Sequence, residues 1–407
     1  MTSRYRWVIL ATGAVGAGAF AALRMGLPAL GPAIRSHYGL SLAQVGLAFA
    51  AVAVGVMLTL VPWGALTDRI GERPVMTAGL AGTAVALGLA ALAPTYPALL
   101  AGLLVAGMLG SSSTGASGRA VMGWFSYRER GFALGIRQMA LPLGGALASL
   151  ALPQLVGLGG LQAALLSLAG LSLAAAAAAA ALMRDPPPPD TRVPPVKAPP
   201  PTRDSRLWRL GAAGALLVTA QSAMLGFIVL FLHDARGLSP ALGAAALAAV
   251  QLLGAGARLV AGRRSDREGL RIAPMRRIAA RNTALLGLTA LLAGGPGALL
   301  YPTLLVAAVS TMTWNGLAFT AAAEISGRAR AGTAMSLQNT ILAVGGALAP
   351  SAFGAAVEAT SWTVAFAVLA LAPLVAVFVL HPLEGDEDAR VADRERRLAQ
   401  LQPMEAA

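Results

Sequence analysis

Apolar runs of about 20 residues recur along the whole chain, and this feature limits the possible folds more than any other. Such a run can cross a bilayer as a helix, whereas a barrel strand would be about half as long and would alternate in polarity. Hydrophobic residues make up 57% of the chain and charged residues 12%, a balance unlike that of a soluble domain. The sequence therefore predicts an all-α membrane protein.

The apolar runs fall into two sets of six, which predicts twelve transmembrane helices in two parallel six-helix pseudo-repeats. The predicted spans are 7–32, 42–64, 74–93, 97–123, 131–155 and 160–183 in the first half, and 207–232, 240–262, 274–293, 298–323, 332–356 and 361–381 in the second. The predicted domains are an N-terminal bundle (1–183), a proline-rich cytoplasmic linker (184–205), a C-terminal bundle (206–383) and a cytoplasmic tail (384–407).

Basic residues concentrate on one side of the predicted spans. Of the 31 Lys and Arg residues, 24 lie on the side of the N-terminus, counting Arg209, Arg276 and Arg277 in the first few residues of their spans; two lie on the opposite side and five lie deeper within spans. The positive-inside rule then places both termini in the cytoplasm of a multi-pass protein of the inner or plasma membrane. Since the net charge of +13 follows from this topology, it does not predict a nucleic-acid partner.

No enzymatic or metal site is predicted. The chain has no cysteine, and its three histidines (37, 233 and 381) lie at span ends without metal-ligand spacing or an acidic partner. We therefore expect no cofactor, no catalytic residue and no metal.

Two motifs occur once in each half at nearly the same offset. "GIRQMALPLGGAL" (135–147) corresponds to "SLQNTILAVGGAL" (336–348), and "GALTDRIGERP" from Gly64 corresponds to "GRRSDREGLRI" from Gly262. Parallel repeats of this kind predict a binding site near the midplane between the halves, with alternating access by rocking. The shared "GGAL" predicts close helix approach through small residues.

The loop "GALTDRIGER" (64–73) resembles the signature loop of the major facilitator superfamily, and "GRRSDREGLR" (262–271) resembles its second copy. "WFSYRERGFALGI" (124–136) resembles the start of the fifth helix in that family. The resemblance implies a twelve-helix transporter with a gate in these loops; Glu72 departs from the family, which commonly has a basic residue there. The implied gating residues, to which we add Arg119 within a span, are Asp68, Arg69, Arg73, Asp266 and Arg267.

Five arginines lie well inside predicted spans, beyond their first few residues, and no Asp or Glu lies well inside any span to pair with them. Such charges are costly in a bilayer and should face a cavity or a partner, so an anionic substrate is the simplest counter-charge. Depth and side-chain direction favour Arg24, Arg137 and Arg258 as ligands of a carboxylate. Arg281 is expected to snorkel towards the interface, and Arg119 to serve in a gate, in packing or as a ligand group.

Neutral polar residues complete the predicted site. The repeat aligns Arg137 and Gln138 with Gln338 and Asn339, as expected if one ligand meets charge on one side and amides on the other. Gln221 and Asn315 are further candidates, although interhelical hydrogen bonds would explain any one of these amides equally well. In addition, "ARLVAG" (257–262) resembles the segment that carries the carboxylate-binding arginine of monocarboxylate and oxalate/formate transporters.

The sequence thus predicts a monomeric secondary active or facilitative transporter of a small, monocarboxylate-like organic anion, embedded in the lipid bilayer, with proton coupling and anion exchange both open. Transport of nitrate or nitrite is the first alternative, since it would use paired arginines too. An exporter of drugs or metabolites is the second, although a cation exporter usually needs a membrane carboxylate. A membrane sensor or a membrane enzyme would need a domain or a catalytic constellation that we do not find in the sequence.

Overall fold

The protein is a bundle of long helices. The computed structural model describes residues 2–125, 129–184, 203–326 and 331–401, with side chains described at most of these positions, and no strand occurs among them. The helices are α1 (Thr2–Gly26), α2 (Gly31–Tyr38), α3 (Leu42–Ile70), α4 (Glu72–Ala91), α5 (Tyr96–Gly110), α6 (Ser112–Trp124), α7 (Arg130–Leu182), α8 (Ser205–Leu230), α9 (Pro240–Glu268), α10 (Ile272–Leu292), α11 (Gly297–Thr311), α12 (Asn315–Ser326), α13 (Ala331–Ala359) and α14 (Trp362–Leu401).

Ten helical segments of the described chain are long and apolar enough to cross a membrane. One of them, Ala133–Leu182, holds two predicted spans, because Gly159 and Gly160 interrupt α7 with non-helical backbone angles. Gly160 has φ = 68°, a left-handed conformation that glycine adopts without steric cost. The remaining predicted span, α10, is 21 residues long but begins with a polar stretch that includes Arg276 and Arg277, so its hydropathy is lower. The helices therefore agree with twelve crossings.

Several predicted spans are longer in the structure than the apolar runs indicate. After α1, the four residues Leu27–Leu30 form a 3₁₀ turn, and α2 continues the crossing to Tyr38. Two crossings are each divided into two helices, α5 with α6 and α11 with α12. The tail predicted over 384–407 continues α14 without a break as far as Leu401. Most of the predicted linker, residues 185–202, lies outside the described residues.

The repeated "GGAL" brings helices into close contact in both halves, as predicted. A methyl group on Gly144 would lie 2.3 Å from the carbonyl oxygen of Gly18 on α1. At the corresponding position of the second copy, a methyl group on Gly345 would lie 2.6 Å from the carbonyl oxygen of Ala215 on α8. Only glycine permits such an approach, because both neighbours are backbone atoms.

The chain forms two compact units that divide it differently from the sequence repeat. The first unit comprises Met1–Pro194, Ser222–Leu253 and Gly346–Trp362, and the second comprises Pro195–Gln221, Gly254–Gly345 and Thr363–Ala407. The first unit thus joins helices of the first half to one end each of α8, α9 and α13. The domain boundaries that follow from the repeat remain a prediction.

Polar and aromatic contacts hold the first unit together at that end. Arg35 at the end of α2 forms an ion pair with Asp234, and the Glu358 carboxylate accepts a hydrogen bond from the backbone N–H of Leu42 at the start of α3. A methyl group on Gly46 would lie 2.5 Å from the carbonyl oxygen of Pro350, so α3 and α13 touch through their backbones. An aromatic cluster lies among the same helices; its members are Phe49, Phe227, Phe231, Phe353 and Trp362.

The second unit has its own apolar core, built around Trp314, whose side chain is fully buried. The core takes residues from α8, α10, α12 and α14, among them Leu210, Met275, Ala318 and Leu380. In a bilayer these helices are held by close van der Waals packing, because lipid tails are as apolar as the side chains and burial against another helix gains little hydrophobic free energy.

Candidate functional site

Two interrupted crossings organise most of the polar side chains inside the bundle. In the first unit the interruption lies at Ser111, between α5 and α6, and in the second unit it lies at Met312–Trp314, between α11 and α12. A helix end exposes backbone carbonyl groups without partners in the helix, so an interruption at membrane depth needs donors from neighbouring helices. The predicted site residues lie largely around these two points.

At the first interruption, side chains of α3 satisfy one carbonyl oxygen. The carbonyl oxygen of Met108 accepts hydrogen bonds from Thr59 Oγ1 and from Trp63 Nε1, both at 2.7 Å. Thr59 also lies 2.9 Å from the hydroxyl of Ser111. The half-helix α5 is thereby anchored to α3 where its own hydrogen-bond ladder ends.

Arg137 is buried beside this interruption, with 6% of its surface exposed. Its Nε donates to Ser117 Oγ at 2.8 Å, its Nη2 to the carbonyl oxygen of Thr114 at 2.7 Å, and its Nη1 to Gln138 Oε1 at 3.0 Å. Gln138 itself is exposed. Three of the five guanidinium donors therefore have neutral partners, and Arg137 links α7 to α6.

At the second interruption, an arginine donates a hydrogen bond to a backbone carbonyl oxygen, as a threonine and a tryptophan do at the first. Arg258 on α9 donates from Nε to the carbonyl oxygen of Met312 at 3.1 Å. Its two terminal nitrogens make no hydrogen bond to the described residues, and the side chain is half-buried. Arg258 is thus held through Nε, while its two terminal guanidinium nitrogens are left to bind a ligand.

Two further contacts meet at the same place. Arg281 on α10 donates to Ser310 Oγ at 2.8 Å and to Thr313 Oγ1 at 3.1 Å. This inward contact differs from the expected snorkelling, because the hydroxyls at the interruption offer closer acceptors than the membrane surface. Asn315 donates from Nδ2 to Gln221 Oε1 at 3.1 Å, so these two predicted residues are brought together.

The repeat positions 137/138 and 338/339 share a pattern of burial. Gln338 is buried like Arg137, with 2% of its surface exposed, and Asn339 is exposed like Gln138. Neither polar atom of the Gln338 amide has a hydrogen-bond partner among the described residues. In each half, one side chain therefore points into the helix packing and the next one away from it.

Arg24 stands apart from Arg137. Along α1 and α7, Gly18 faces Ala140 and Gly26 faces Ala148, so position 24 is level with position 146 of α7. Arg137 lies nine residues before that level, about 14 Å along the helix axis. Arg24 is exposed and makes no hydrogen bond or ion pair with the described residues. The structure thus separates two residues that the sequence analysis expected to converge on one small anion.

A sequence profile of the Major Facilitator Superfamily matches residues 12–350. The chain belongs to this superfamily. Two uncharacterized MFS-type transporters of Mycobacterium tuberculosis, from strains H37Rv and CDC 1551, are each 34% identical over 376 residues, which cover 91% of this chain and 84% of the relative. The superfamily consists of transporters rather than enzymes, which confirms the prediction that the chain is not an enzyme.

Solved structures confirm the major facilitator fold. A bacterial homolog of the human lysosomal transporter Spinster, inward-facing and unoccupied, superposes with a TM-score of 0.78 at 16% identity, covering 95% of this chain and 97% of that one. The nucleoside transporter NupG superposes with a TM-score of 0.73 at 15% identity, covering 92% and 99%. At these identities the likeness concerns the fold alone.

The first signature loop departs from the family pattern at Glu72, and this residue forms an ion pair with an arginine of α6. Glu72, the first residue of α4, is 1% exposed and lies with Oε1 3.1 Å from Nε of Arg119 on α6. Arg119 therefore has a carboxylate partner, which the apolar runs alone did not reveal. Arg69 and Arg73 are exposed, and the side chain of Asp68 lies outside the described residues. Their gating role stays a prediction.

In the second copy of the loop, Arg271 is the central residue. It donates to Asp266 Oδ1 at 2.6 Å and to Glu324 Oε1 at 3.0 Å, while Arg267 is exposed. Burial alone would lower the pKa of Arg271, but its hydrogen bonds with the two carboxylates outweigh burial and raise the pKa above the ordinary value. Asp266 thus forms its ion pair with Arg271, an arginine of the same loop.

Glu387, in the segment predicted as a cytoplasmic tail, caps α10. Its carboxylate accepts hydrogen bonds from the backbone N–H groups of Arg271 at 2.6 Å, Ile272 at 2.9 Å and Ala273 at 3.2 Å. Glu384, one turn earlier on α14, pairs with Arg276. The sequence did carry a signal for this cap, namely two carboxylates three residues apart in the tail. Such groups are stabilised near a helix N-terminus, which carries partial positive charge.

Proposed function

We propose that this superfamily member transports a small organic anion of the monocarboxylate type by alternating access. One observation carries the proposal: of the five arginines in the spans, only Arg119 pairs with a carboxylate among the described residues. Arg137, Arg258 and Arg281 meet hydroxyl, amide or carbonyl groups, and Arg24 meets none. Positive charge without a protein counter-charge inside a membrane favours an anionic ligand.

Arg258 is the first proposed ligand of the carboxylate. Its contact with Met312 fixes the side chain, and the free terminal nitrogens form the planar fork that matches a carboxylate. The amide pair of Gln221 and Asn315, which lies at the same helix interruption, supplies neutral donors for orientation.

In the first unit, Arg24 is the second proposed ligand, since its exposed guanidinium makes no contact with the described residues. Arg137 is proposed to position Gln138, because three of its donors already hold α6, α7 and the Gln138 amide. In the second repeat, the exposed Asn339 is proposed to contact the ligand, and the buried Gln338 amide, which has no hydrogen-bond partner among the described residues, is proposed as a further ligand group.

Ligand-induced stabilisation of the purified protein tests the substrate class. Monocarboxylates, dicarboxylates, nitrate, nitrite, nucleosides, sugars and cationic dyes are each added, and the midpoint of thermal unfolding is measured. A ligand at 100 times its dissociation constant adds about 2.7 kcal/mol to the free energy of unfolding, which raises the midpoint measurably. We expect stabilisation by monocarboxylates, and the best one should also be taken up by proteoliposomes.

Arg258→Gln tests the site. We expect affinity to fall at least tenfold, about 1.4 kcal/mol. Because the Met312 carbonyl oxygen also loses a hydrogen bond, the unfolding midpoint without ligand should fall too, and affinity is measured below that lowered midpoint. Arg209→Gln is the matched control, because Arg209 is an exposed arginine on α8 away from the interruption. Unchanged affinity in both Arg24→Gln and Arg258→Gln would reject the anion site, and stabilisation by nitrate alone would replace the substrate class.

A further inference from the structure

A cavity of about 630 Å³ opens on the second unit between α9, α10 and the interrupted crossing of α11 and α12. Its basic residues are Arg264, Arg277 and Arg281, and Arg258 is not among the residues that line it. The first lies on α9 and the other two lie one turn apart on α10.

The three arginines form a column of positive charge that runs into the bundle. Arg277 and Arg281 are five and nine residues after the first residue of α10, about 8 Å and 14 Å along its axis. Arg264 and Arg277 are exposed, with 74% and 55% of their side chains accessible. Arg281 is also exposed and keeps one terminal nitrogen, Nη1, without a hydrogen bond to the described residues.

Among the described residues, one carboxylate forms ion pairs with these arginines. Glu268 pairs with Arg264 at 2.8 Å and also with Arg277. Three guanidinium groups against one carboxylate leave two uncompensated positive charges at the cavity. That charge matches a phosphate group, which carries several acceptor oxygens.

The cavity continues from the basic residues to an apolar wall that the protein leaves uncovered. Val260 and Val306 line it with 64% and 53% of their surface exposed. A small inorganic anion would bind the arginines but would leave this apolar wall without a contact. An amphiphile with an anionic headgroup would satisfy both parts of the cavity at once.

We propose that this cavity binds an anionic phospholipid of the surrounding bilayer. The phosphate lies among Arg264, Arg277 and Arg281, and an acyl chain covers Val260 and Val306. The arginines lie near the end of α9 and the start of α10, on the side that the positive-inside rule assigns to the cytoplasm, where basic pockets between transmembrane helices bind anionic headgroups. This inference does not depend on the proposed transport substrate.

Lipid binding to the purified full-length chain tests the proposal. The protein is placed in nanodiscs of phosphatidylcholine with increasing fractions of phosphatidylglycerol, and bound anionic lipid is measured by native mass spectrometry together with the midpoint of thermal unfolding. We expect saturable retention of phosphatidylglycerol and a higher midpoint than in phosphatidylcholine alone.

Two variants change the net charge of the cavity in opposite directions. Arg264→Gln combined with Arg277→Gln leaves Arg281 and Glu268 and should weaken phosphatidylglycerol retention at least tenfold. Glu268→Gln removes the carboxylate that pairs with Arg264 and Arg277 and should strengthen retention. Arg281 stays unchanged in both, because its hydrogen bonds also hold the helix interruption.

Arg263→Gln is the matched control, since Arg263 is exposed on the same helix and does not line the cavity. Its retention of phosphatidylglycerol should equal that of the wild type.

Equal retention in the double variant and the wild type, or an equal loss in the control, would overturn the proposal. Displacement of phosphatidylglycerol by millimolar inorganic phosphate would identify a free-anion site and overturn the assignment to lipid. All variants should keep the unfolding midpoint of the wild type in pure phosphatidylcholine, and their affinity for the transport substrate serves as an independent readout.

Discussion

At the residue scale, the ion pair of Glu72 and Arg119 links the first signature loop to α6. Glu72 is almost fully buried, whereas 39% of the Arg119 side chain is exposed. Removal of one partner from a buried pair is costly because the other charge stays without compensation. The partial exposure of Arg119 reduces this cost, since solvent screens part of the interaction.

We expect Arg119→Gln to lower the free energy of unfolding by about 1–3 kcal/mol. Glu72→Gln in the same chain should recover part of the loss, because the uncompensated carboxylate is then removed. Unfolding midpoints of the two single variants and the double variant give the coupling energy. Additive effects of the two substitutions would contradict the pair.

At the scale of helices, contacts through glycine fix the register of α1 against α7. Gly18 and Gly144 approach each other through backbone atoms, and this register places Arg24 and Arg137 at different depths. The depths of Arg24 and Arg137 in the membrane are therefore set by the backbone contacts of uncharged glycine residues. Gly345 makes the corresponding approach to α8 in the second repeat.

Gly144→Ala should destabilise the protein by about 1–3 kcal/mol, because its methyl group would lie 2.3 Å from the Gly18 carbonyl oxygen and the helices would have to separate. Gly135→Ala on the same helix is the control, since no heavy atom lies within 4 Å of its added methyl group. There we expect a gain of about 0.5–1 kcal/mol from helix propensity. Thermal unfolding in detergent measures both, and equal effects would argue against the close contact.

At the scale of the whole molecule, the first unit joins helices of both sequence halves through Arg35–Asp234, the Glu358 contact with α3 and the aromatic cluster. If transport proceeds by alternating access as proposed, these contacts must break and form again in each cycle. A covalent link across them should therefore stop transport without unfolding the protein.

The chain has no cysteine, so paired cysteines can be introduced without background. We expect Arg35→Cys with Asp234→Cys, linked by a short bifunctional methanethiosulfonate, to lose uptake in proteoliposomes and to regain it on reduction. Each single cysteine variant treated in the same way should keep its activity. Full uptake by the linked protein would show that this end of the first unit stays closed throughout the cycle.

The sequence by itself determined the number of crossings, the repeat and the superfamily, because each depends on local properties: the length of an apolar run, the spacing of a loop motif and the offset between two copies. It also determined that an excess of positive charge lies within the spans, since that is a count of residues. Only the tertiary structure decided which groups these arginines meet. The burial of Arg137 beside Thr114 and Ser117, the pairing of Glu72 with Arg119, and the cap that Glu387 places on α10 all join residues distant in the chain. Helix register and the interruptions of two crossings set these contacts, and neither follows from hydropathy.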